Sequence, residues 1–306
     1  MPVHDLRALL GPTRTVSTAT LATTVGERSI GRWIATGRLV RLHPGWVTVP
    51  ELADDWTVRA HAATSYAGGP LSHLSALTVH RIVDREVTRL QVTVPSERRV
   101  RSSRWLRVHR SRTPVTVVRA RGLPATSVAR SLIDTWGDAH TARAPRGYGG
   151  VAREAVLRAT RSRRATVDEL TAQLDVRPEL PGRSSLVDLL GLIAGGCESE
   201  LEIFGVQNVL DVPGIPPCAQ QHRVRLPSGP VRLDAAWPEV KLAVELDGAA
   251  FHGSQEARER DLRRDAALAA LGWVVLRFSY RRLTREPAAC RAEILAAYRR
   301  RRSVVP

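Results

Sequence analysis

The segment VRLDAAWPEVKLAVELDGAAFHG, residues 231–253, constrains the fold more than any other part of the sequence. Apolar and polar side chains alternate in two runs, and Pro238-Glu239 separates them. Alternation with period two is typical of strands that bury one face, so the segment predicts a β-hairpin. Its arms are expected over residues 231–237 and 240–247.

The two faces of the predicted hairpin differ in chemistry. The expected apolar face carries Leu233, Ala235, Trp237, Leu242, Val244 and Leu246. The expected charged face carries Arg232, Asp234, Lys241, Glu245 and Asp247. Three of these five charges are acidic, so the face is unusual for a packed sheet.

A turn centred between Glu239 and Val240 places Asp234 directly opposite Glu245. Paired side chains of this kind have Cβ atoms about 5 Å apart. Two like charges at that separation destabilise the pair unless a cation lies between them or one carboxylate keeps a proton. A divalent cation with oxygen ligands is the simplest solution, so the hairpin predicts an active site.

The composition favours a nucleic-acid partner and an intracellular protein. The 306 residues carry a formal charge of +16, which suits a polyanion, although the use of arginine for all basic residues except Lys241 also fits a GC-rich genome. Three scattered cysteines without a CxxC pair indicate neither a disulfide framework nor a structural zinc site. No signal peptide or membrane span is apparent, so we expect a cytoplasmic location and no membrane partner.

Changes in texture along the chain predict four segments in a mixed α/β (α+β) protein. We expect a winged helix over residues 1–50, an α+β domain over 51–137, a helical connector over 138–196 and an α/β domain with a central mixed sheet over 197–302. In the last segment, WVVLRF (273–278) is apolar enough to predict a central strand.

The first 50 residues predict helix, turn, helix and then a hairpin, which is the order of a winged helix. Arg28, Ser29 and Arg32 would begin the recognition helix and face the major groove. The pattern resembles the N-terminal segment of AbiEi-type antitoxins, and the following α+β region is similar to theirs. The matching residues are Ser29, Gly37, Leu39, Arg41 and Gly45, with Val47 at a position that is often aromatic. A small packing or docking module is the alternative.

The last third of the chain resembles a nuclease family. Asp234, Pro238, an apolar strand, Glu245 and the stretch 248–253 with His252 follow the pattern of the very-short-patch-repair (Vsr)-like domains of the PD-(D/E)XK endonuclease superfamily. The resemblance implies a restriction-endonuclease-like fold and metal-assisted hydrolysis of phosphodiester bonds.

The resemblance also implies roles for individual residues. Asp234 and Glu245, helped by the carbonyl of Leu246, would bind Mg²⁺ or Mn²⁺, which polarises the phosphate and lowers the pKa of water bound to it. Glu202 on a preceding helix would complete the site, with Glu198 and Glu200 as rivals. His252 would act as a base or as a proton donor to the leaving group, unless it is a surface histidine.

One position departs from the family pattern. Asp247 occupies the place of the usual lysine, so it either adds a metal ligand or marks an inactive, DNA-binding relative. The sequence leaves two roles open for Arg260, Arg264 and Arg277: they contact phosphates or brace the acidic pair. Surface ion pairs with Asp261 and Asp265 are a further alternative for the first two.

Two functions follow from these patterns. The favoured one is a metal-dependent DNA endonuclease or nickase that an N-terminal winged helix delivers to double-stranded DNA. The other is a non-catalytic transcriptional regulator of the AbiEi antitoxin type with a degenerate nuclease fold, for which a cognate toxin would be a partner. The sequence leaves a homodimer open.

Overall fold

The structure is a computed structural model that describes residues 5–84, 86–197, 200–247 and 255–303. It is a mixed α/β protein with several sheets, as the sequence predicted. The chain divides into two compact units, Met1–Ser184 and Ser185–Pro306. None of the helices within the described ranges is both long enough and apolar enough to cross a bilayer.

The first unit begins with helices and a three-stranded antiparallel sheet in the order β1-β3-β2. Its elements are α1 (Leu6–Leu9), β1 (Val16–Ser17), α2 (Thr18–Val25), α3 (Glu27–Ala35), β2 (Val40–His43) and β3 (Trp46–Thr48). Ile30 and Trp33 on α3 pack into a core with Leu21, Leu39 and Val47. Two helices followed by a hairpin agree with the predicted order. Strand β1 was not predicted, because a two-residue strand leaves no recognisable pattern in the sequence.

The rest of the first unit packs helices around two small strand pairs. Its elements are α4 (Trp56–Ala67), α5 (His73–Val79), β4 (Leu90–Pro95), β5 (Leu106–Ser111), β6 (Val117–Ala120), β7 (Leu123–Thr126), α6 (Val128–Ala139), α7 (Tyr148–Arg161) and α8 (Val167–Asp175). Strands β4 and β5 pair in parallel and are joined by a ten-residue loop; β4 is buried over Leu90–Val94, whereas β5 alternates between buried and exposed residues. Their apolar side chains meet α4 and α5 in one core.

The second unit holds a four-stranded mixed sheet with the order β11-β10-β9-β8. Its elements are α9 (Arg183–Ala194), α10 (Glu200–Gly205), β8 (Ala219–Leu226), β9 (Gly229–Trp237), β10 (Leu242–Asp247), α11 (Gln255–Ala270), β11 (Val274–Ser279), α12 (Tyr280–Arg285) and α13 (Pro287–Arg302), with α9 beginning at the end of the first unit. Three antiparallel strands precede α11, and β11 then pairs parallel to β10.

Apolar layers cover both faces of this sheet. Ala235, Trp237, Leu242 and Val244 pack with residues of α13, including Ile294. On the other face, Ala236 and Ala243 meet Leu268 of α11. The face that carries the acidic residues is therefore also a packed face, because α11 lies on it.

Two expectations for this unit were wrong in detail. Strand β11 lies at the edge of the sheet, and Val274 is 37% exposed, because β10 is its only partner strand among the described residues. Leu233 packs with Ala236 and Leu268, not with Ala235 and Trp237. The β8–β9 pairing has no pair at Asp234, between the pairs of Ala235 and Leu233. Leu233 and Ala235 belong to the apolar clusters on opposite faces of the sheet, so the strand changes face at this break.

The turn of the hairpin is also longer than predicted. A 3₁₀ turn covers Pro238–Val240 and Lys241 follows with φ 49°, so the second arm begins at Leu242 and not at Val240. Lys241 is exposed, and its Nζ donates to the carbonyl of Leu271 at 3.0 Å.

Candidate active site

The predicted register of the hairpin is present in the structure. Leu242 pairs with Trp237, Ala243 with Ala236, and Val244 with Ala235. Glu245 and Asp234 are the next residues along the two strands, directly after the last recorded pair. The negative charge of Asp234 contributes to raising the pKa of Glu245, so the two carboxylates lie within electrostatic reach of each other.

Asp234 is held by contacts from both neighbouring strands. The backbone N–H of Leu246 donates to Asp234 Oδ2 at 2.9 Å. From β8, the side chain of Gln221 also hydrogen-bonds the Asp234 carboxylate. Burial raises the pKa of Asp234, and these hydrogen bonds together with Arg232 and Arg264 lower it by less. The net rise shows that desolvation outweighs the positive charge already present.

Among the acids of the site whose side chains are described, Glu245 is the most enclosed, with 7% of its surface exposed. Arg264 of α11 pairs with its Oε1, and Arg277 of β11 donates from Nε to its Oε2 at 3.0 Å. Burial raises the pKa of Glu245, although both arginines act to lower it. The carboxylate is thus clamped between a helix and the neighbouring strand.

These contacts decide between the roles that the sequence left open for the arginines. Arg264 and Arg277 brace the acidic pair, since both contact Glu245. Asp265, the expected partner of a surface pair on α11, instead accepts from Arg277 Nη2 at 2.5 Å. Arg260 is exposed. Guanidinium groups therefore supply counter-charge to Glu245.

Glu202 is connected to Asp234 through Gln221, a residue that the sequence analysis did not identify. Gln221 Nε2 donates to Glu202 Oε2 at 3.1 Å and also contacts Asp234, so one amide connects the two acids. Gln221 has φ 51°, a left-handed conformation that costs a non-glycine residue energy. The sequence QQHRVR gave no signal for this role, because its alternation only predicts a strand.

Gly205 allows the helix that carries Glu202 to approach the sheet. A Cβ atom at this position would lie 2.6 Å from Leu246 Cδ1 on β10, so a larger residue would require the Leu246 side chain to move. Leu246 is the residue whose N–H binds Asp234. The helix that carries Glu202 therefore packs against the residue that holds Asp234.

The remaining predicted residues can be placed only in part. Asp247 ends β10 and pairs in register with Ser279 of β11, and its side chain is not described. His252 and Glu198 lie outside the described residues, and the side chain of Glu200 is not described. Within the described ranges, no three histidine, cysteine or acidic residues converge closely enough to hold a metal ion.

The donor atoms nevertheless suit a hard cation. Asp234 and Glu245 offer carboxylate oxygens, and each oxygen has a second lone pair beyond the contacts described. Hard divalent cations prefer such oxygen ligands. Because burial raises the pKa of both acids, additional positive charge beside them would be favourable. The site fits Mg²⁺ or Mn²⁺ in ligand type, with Glu202 one side chain further away.

In the first unit, the predicted DNA-contacting residues lie at the start of α3. Arg28 and Arg32 are exposed, four residues apart on one face, and Ser29 is half-buried. Ile30 and Trp33 lie on the opposite face of α3 and pack into the core. The placement is compatible with the predicted groove contact, which stays a prediction.

Comparison with known proteins finds a family match within the second unit. Residues 221–298 match the family model REase_MTES_1575, which is restriction-endonuclease-like, and they include Asp234, Glu245 and the bracing arginines. Over 200 residues the chain is 29% identical to the proteins named "Uncharacterized protein Rv2248" and "Uncharacterized protein MT2308" of Mycobacterium tuberculosis, covering 64% of this chain and 69% of each relative.

A crystal structure of the RV2827C protein of Mycobacterium tuberculosis is also similar. It is 17% identical in sequence, with a TM-score of 0.43, and the match covers 60% of this chain and 76% of that one. On the family-model match alone, residues 221–298 form a restriction-endonuclease-like domain within the second unit.

Proposed function

We propose that this chain is a metal-dependent endonuclease or nickase that hydrolyses phosphodiester bonds in double-stranded DNA. The observation that carries the proposal is that Asp234 and Glu245 follow the last paired residues of β9 and β10 and interact electrostatically, inside the segment that matches the endonuclease model. Burial raises the pKa of both acids, and acids with perturbed pKa values cluster at functional sites, which supports the proposal.

Asp234, Glu245 and the carbonyl of Leu246 are the groups that would hold Mg²⁺ or Mn²⁺. A divalent cation bound there would supply Lewis-acid stabilisation of the charge that develops on the scissile phosphate. Gln221 orients Asp234, and through it Glu202 adds negative charge beside the site. Arg264 and Arg277 fix the direction of the Glu245 carboxylate. Asp247 and His252 stay candidates for a further ligand and for proton transfer.

Delivery to DNA would come from the first 50 residues. We propose that Arg28, Ser29 and Arg32 at the start of α3 contact the duplex, with the two exposed arginines on its phosphates or bases. The formal charge of +16 supports attraction to a polyanion. A protein acting on genomic DNA in this way would work in the cytoplasm.

One contact favours a second function. Both oxygens of Glu245 already bind arginines, and an aspartate stands at position 247 where the family pattern has lysine. In a nuclease-like fold that no longer binds a metal, arginines would have to supply the positive charge beside the carboxylate, as Arg264 and Arg277 do here. The alternative is therefore a DNA-binding regulator of the AbiEi type, with a cognate toxin as its partner.

A plasmid-nicking assay with Mg²⁺ or Mn²⁺ separates the two functions. Wild-type protein should convert supercoiled to open-circular DNA, Asp234→Asn should abolish this, and Asp211→Asn should not, because Asp211 is an exposed acid of the same unit. Mg²⁺ at ten times its dissociation constant should also stabilise the second unit by about 1.4 kcal/mol. Duplex binding with neither nicking nor metal stabilisation would establish the regulator instead.

A further inference from the structure

Arginines crowd one short segment of the first unit. Residues 98–112 contain seven arginines and no acidic residue, at positions 98, 99, 101, 104, 107, 110 and 112. This basic segment comprises most of the loop after β4 and all of β5. Like charges at such density repel each other, so the segment carries electrostatic strain that an anionic partner would relieve.

The loop of the basic segment is fixed by its own hydrogen bonds. Arg98 Nε donates to the carbonyl of Ala67 on α4 at 2.5 Å, and Arg110 Nη2 donates to the carbonyl of Val100 at 2.9 Å. Ser102 Oγ accepts from the backbone N–H of Val108 at 3.0 Å. These tethers hold the loop in one conformation, so a partner would not have to order it on binding.

An exposed tryptophan gathers further positive charge beside the loop. Trp105 is 39% exposed, and the guanidinium carbons of Arg59 and Arg104 lie 4.2 Å and 4.6 Å from its ring centroid. Cation–π contacts of this kind hold arginines in place without neutralising them. Arg59 comes from α4, so two elements contribute cations to the same surface.

Three arginines of the basic segment remain available for a partner. Arg99, Arg101 and Arg112 are exposed, and no ion pair or hydrogen bond of their side chains occurs within the part of the chain that the structure describes. Arg107, in contrast, makes a two-pronged pair with Asp138. Some arginines of the segment thus stabilise its structure, whereas others are exposed to solvent and can contact a partner.

We propose that the basic segment, with Arg59 and Trp105, is a second nucleic-acid surface that binds the sugar-phosphate backbone without reading sequence. Arginine presents planar, paired N–H donors that match phosphate oxygens, and it holds its charge at every physiological pH. A repeating polyanion also fits closely spaced cations better than a folded protein with scattered acids would. The surface is independent of α3 and of the acidic pair in the second unit.

The test compares two triple variants of the full-length chain in an Asp234→Asn background without divalent ions, so that no cleavage intervenes. The first carries Arg99→Gln, Arg101→Gln and Arg112→Gln. The matched control carries Arg143→Gln, Arg161→Gln and Arg164→Gln, three exposed arginines of the same unit, so both variants lose the same net charge. Binding to a short random-sequence duplex is measured across a KCl series.

The logarithmic salt dependence of binding should flatten by about 0.9 for each phosphate that the protein no longer neutralises, or about 2.7 for the first variant, with affinity lower on the order of tenfold. The control should keep the wild-type slope. Equal slopes in both variants would overturn the proposal, and so would binding of an acidic peptide in preference to DNA. If the triple variant fails to fold, Arg101→Gln alone should flatten the slope by about 0.9, and no change would overturn the proposal equally.

Discussion

The contact between Arg264 and Glu245 makes the sharpest prediction about the second unit. The Glu245 side chain is 9% exposed and that of Arg264 27% exposed, so the carboxylate depends on its partners for the solvation it has lost. A hydrogen bond to a charged group contributes about 1.5–3 kcal/mol. Because a quarter of Arg264 still contacts water, we expect Arg264→Met to lower the free energy of unfolding by about 2 kcal/mol.

The matched control lies on the same helix. Arg263 is 78% exposed and pairs with Glu259, itself 57% exposed, so Arg263→Met should change stability little. The pairing also predicts non-additivity. In a Glu245→Gln background, Arg264→Met should be milder by about 1–2 kcal/mol, since the charge that needs the arginine is gone.

Native-state hydrogen exchange of β10 amides is the appropriate measurement. The chain has two compact units, and a melting curve of the whole protein would mix their transitions. The amides of β10, including the Leu246 N–H that binds Asp234, report the second unit alone. Equal effects of Arg264→Met and Arg263→Met, or additivity within about 0.5 kcal/mol, would refute a shared charge cluster.

Two further predictions concern the first unit. Burial lowers the pKa of the stacked pair His73 and His109 to about 3 and about 2, below the 6.5 of an unfolded histidine, so stability that is fully present above pH 6.5 is lost as pH falls. At pH 5 each of these histidines lowers the unfolding free energy by about 2 kcal/mol relative to neutral pH. His109→Gln should therefore reduce the pH dependence of the unfolding free energy by the equivalent of one proton. An unchanged pH dependence would contradict this. Thr166 and Glu169 form a capping box on α8, so Thr166→Ala should lower the unfolding free energy of this unit by about 1 kcal/mol, measured by hydrogen exchange of the α8 amides. A loss no larger than that of Thr171→Ala would speak against the capping box.

Local patterns predicted the elements around the candidate site well. Alternation located β9 and β10, and the position of the turn gave their register, because the side-chain period of two leaves only one way to bury the apolar set. A shift by one residue would have put Asp234 and Glu245 on opposite faces.

Contacts between distant segments escaped the sequence. Strand β11 was expected at the centre because its residues are apolar, yet only pairing decides which strand lies at an edge. Gln221 and Arg277 stand 13 and 32 residues from their acidic partners Asp234 and Glu245, and no periodicity connects such positions. The same holds for Gly205, whose small size matters only because Leu246 lies against it.

The sequence by itself determined the hairpin, its register and the closeness of two acids, since these depend on neighbours along the chain and on a fixed strand geometry. Only the tertiary structure decided what neutralises them. Packing of α11 and β11 brings Arg264 and Arg277 onto Glu245, whereas a sequence shows charge without distance. Electrostatic energy depends on separation and burial, and both are set when the elements assemble.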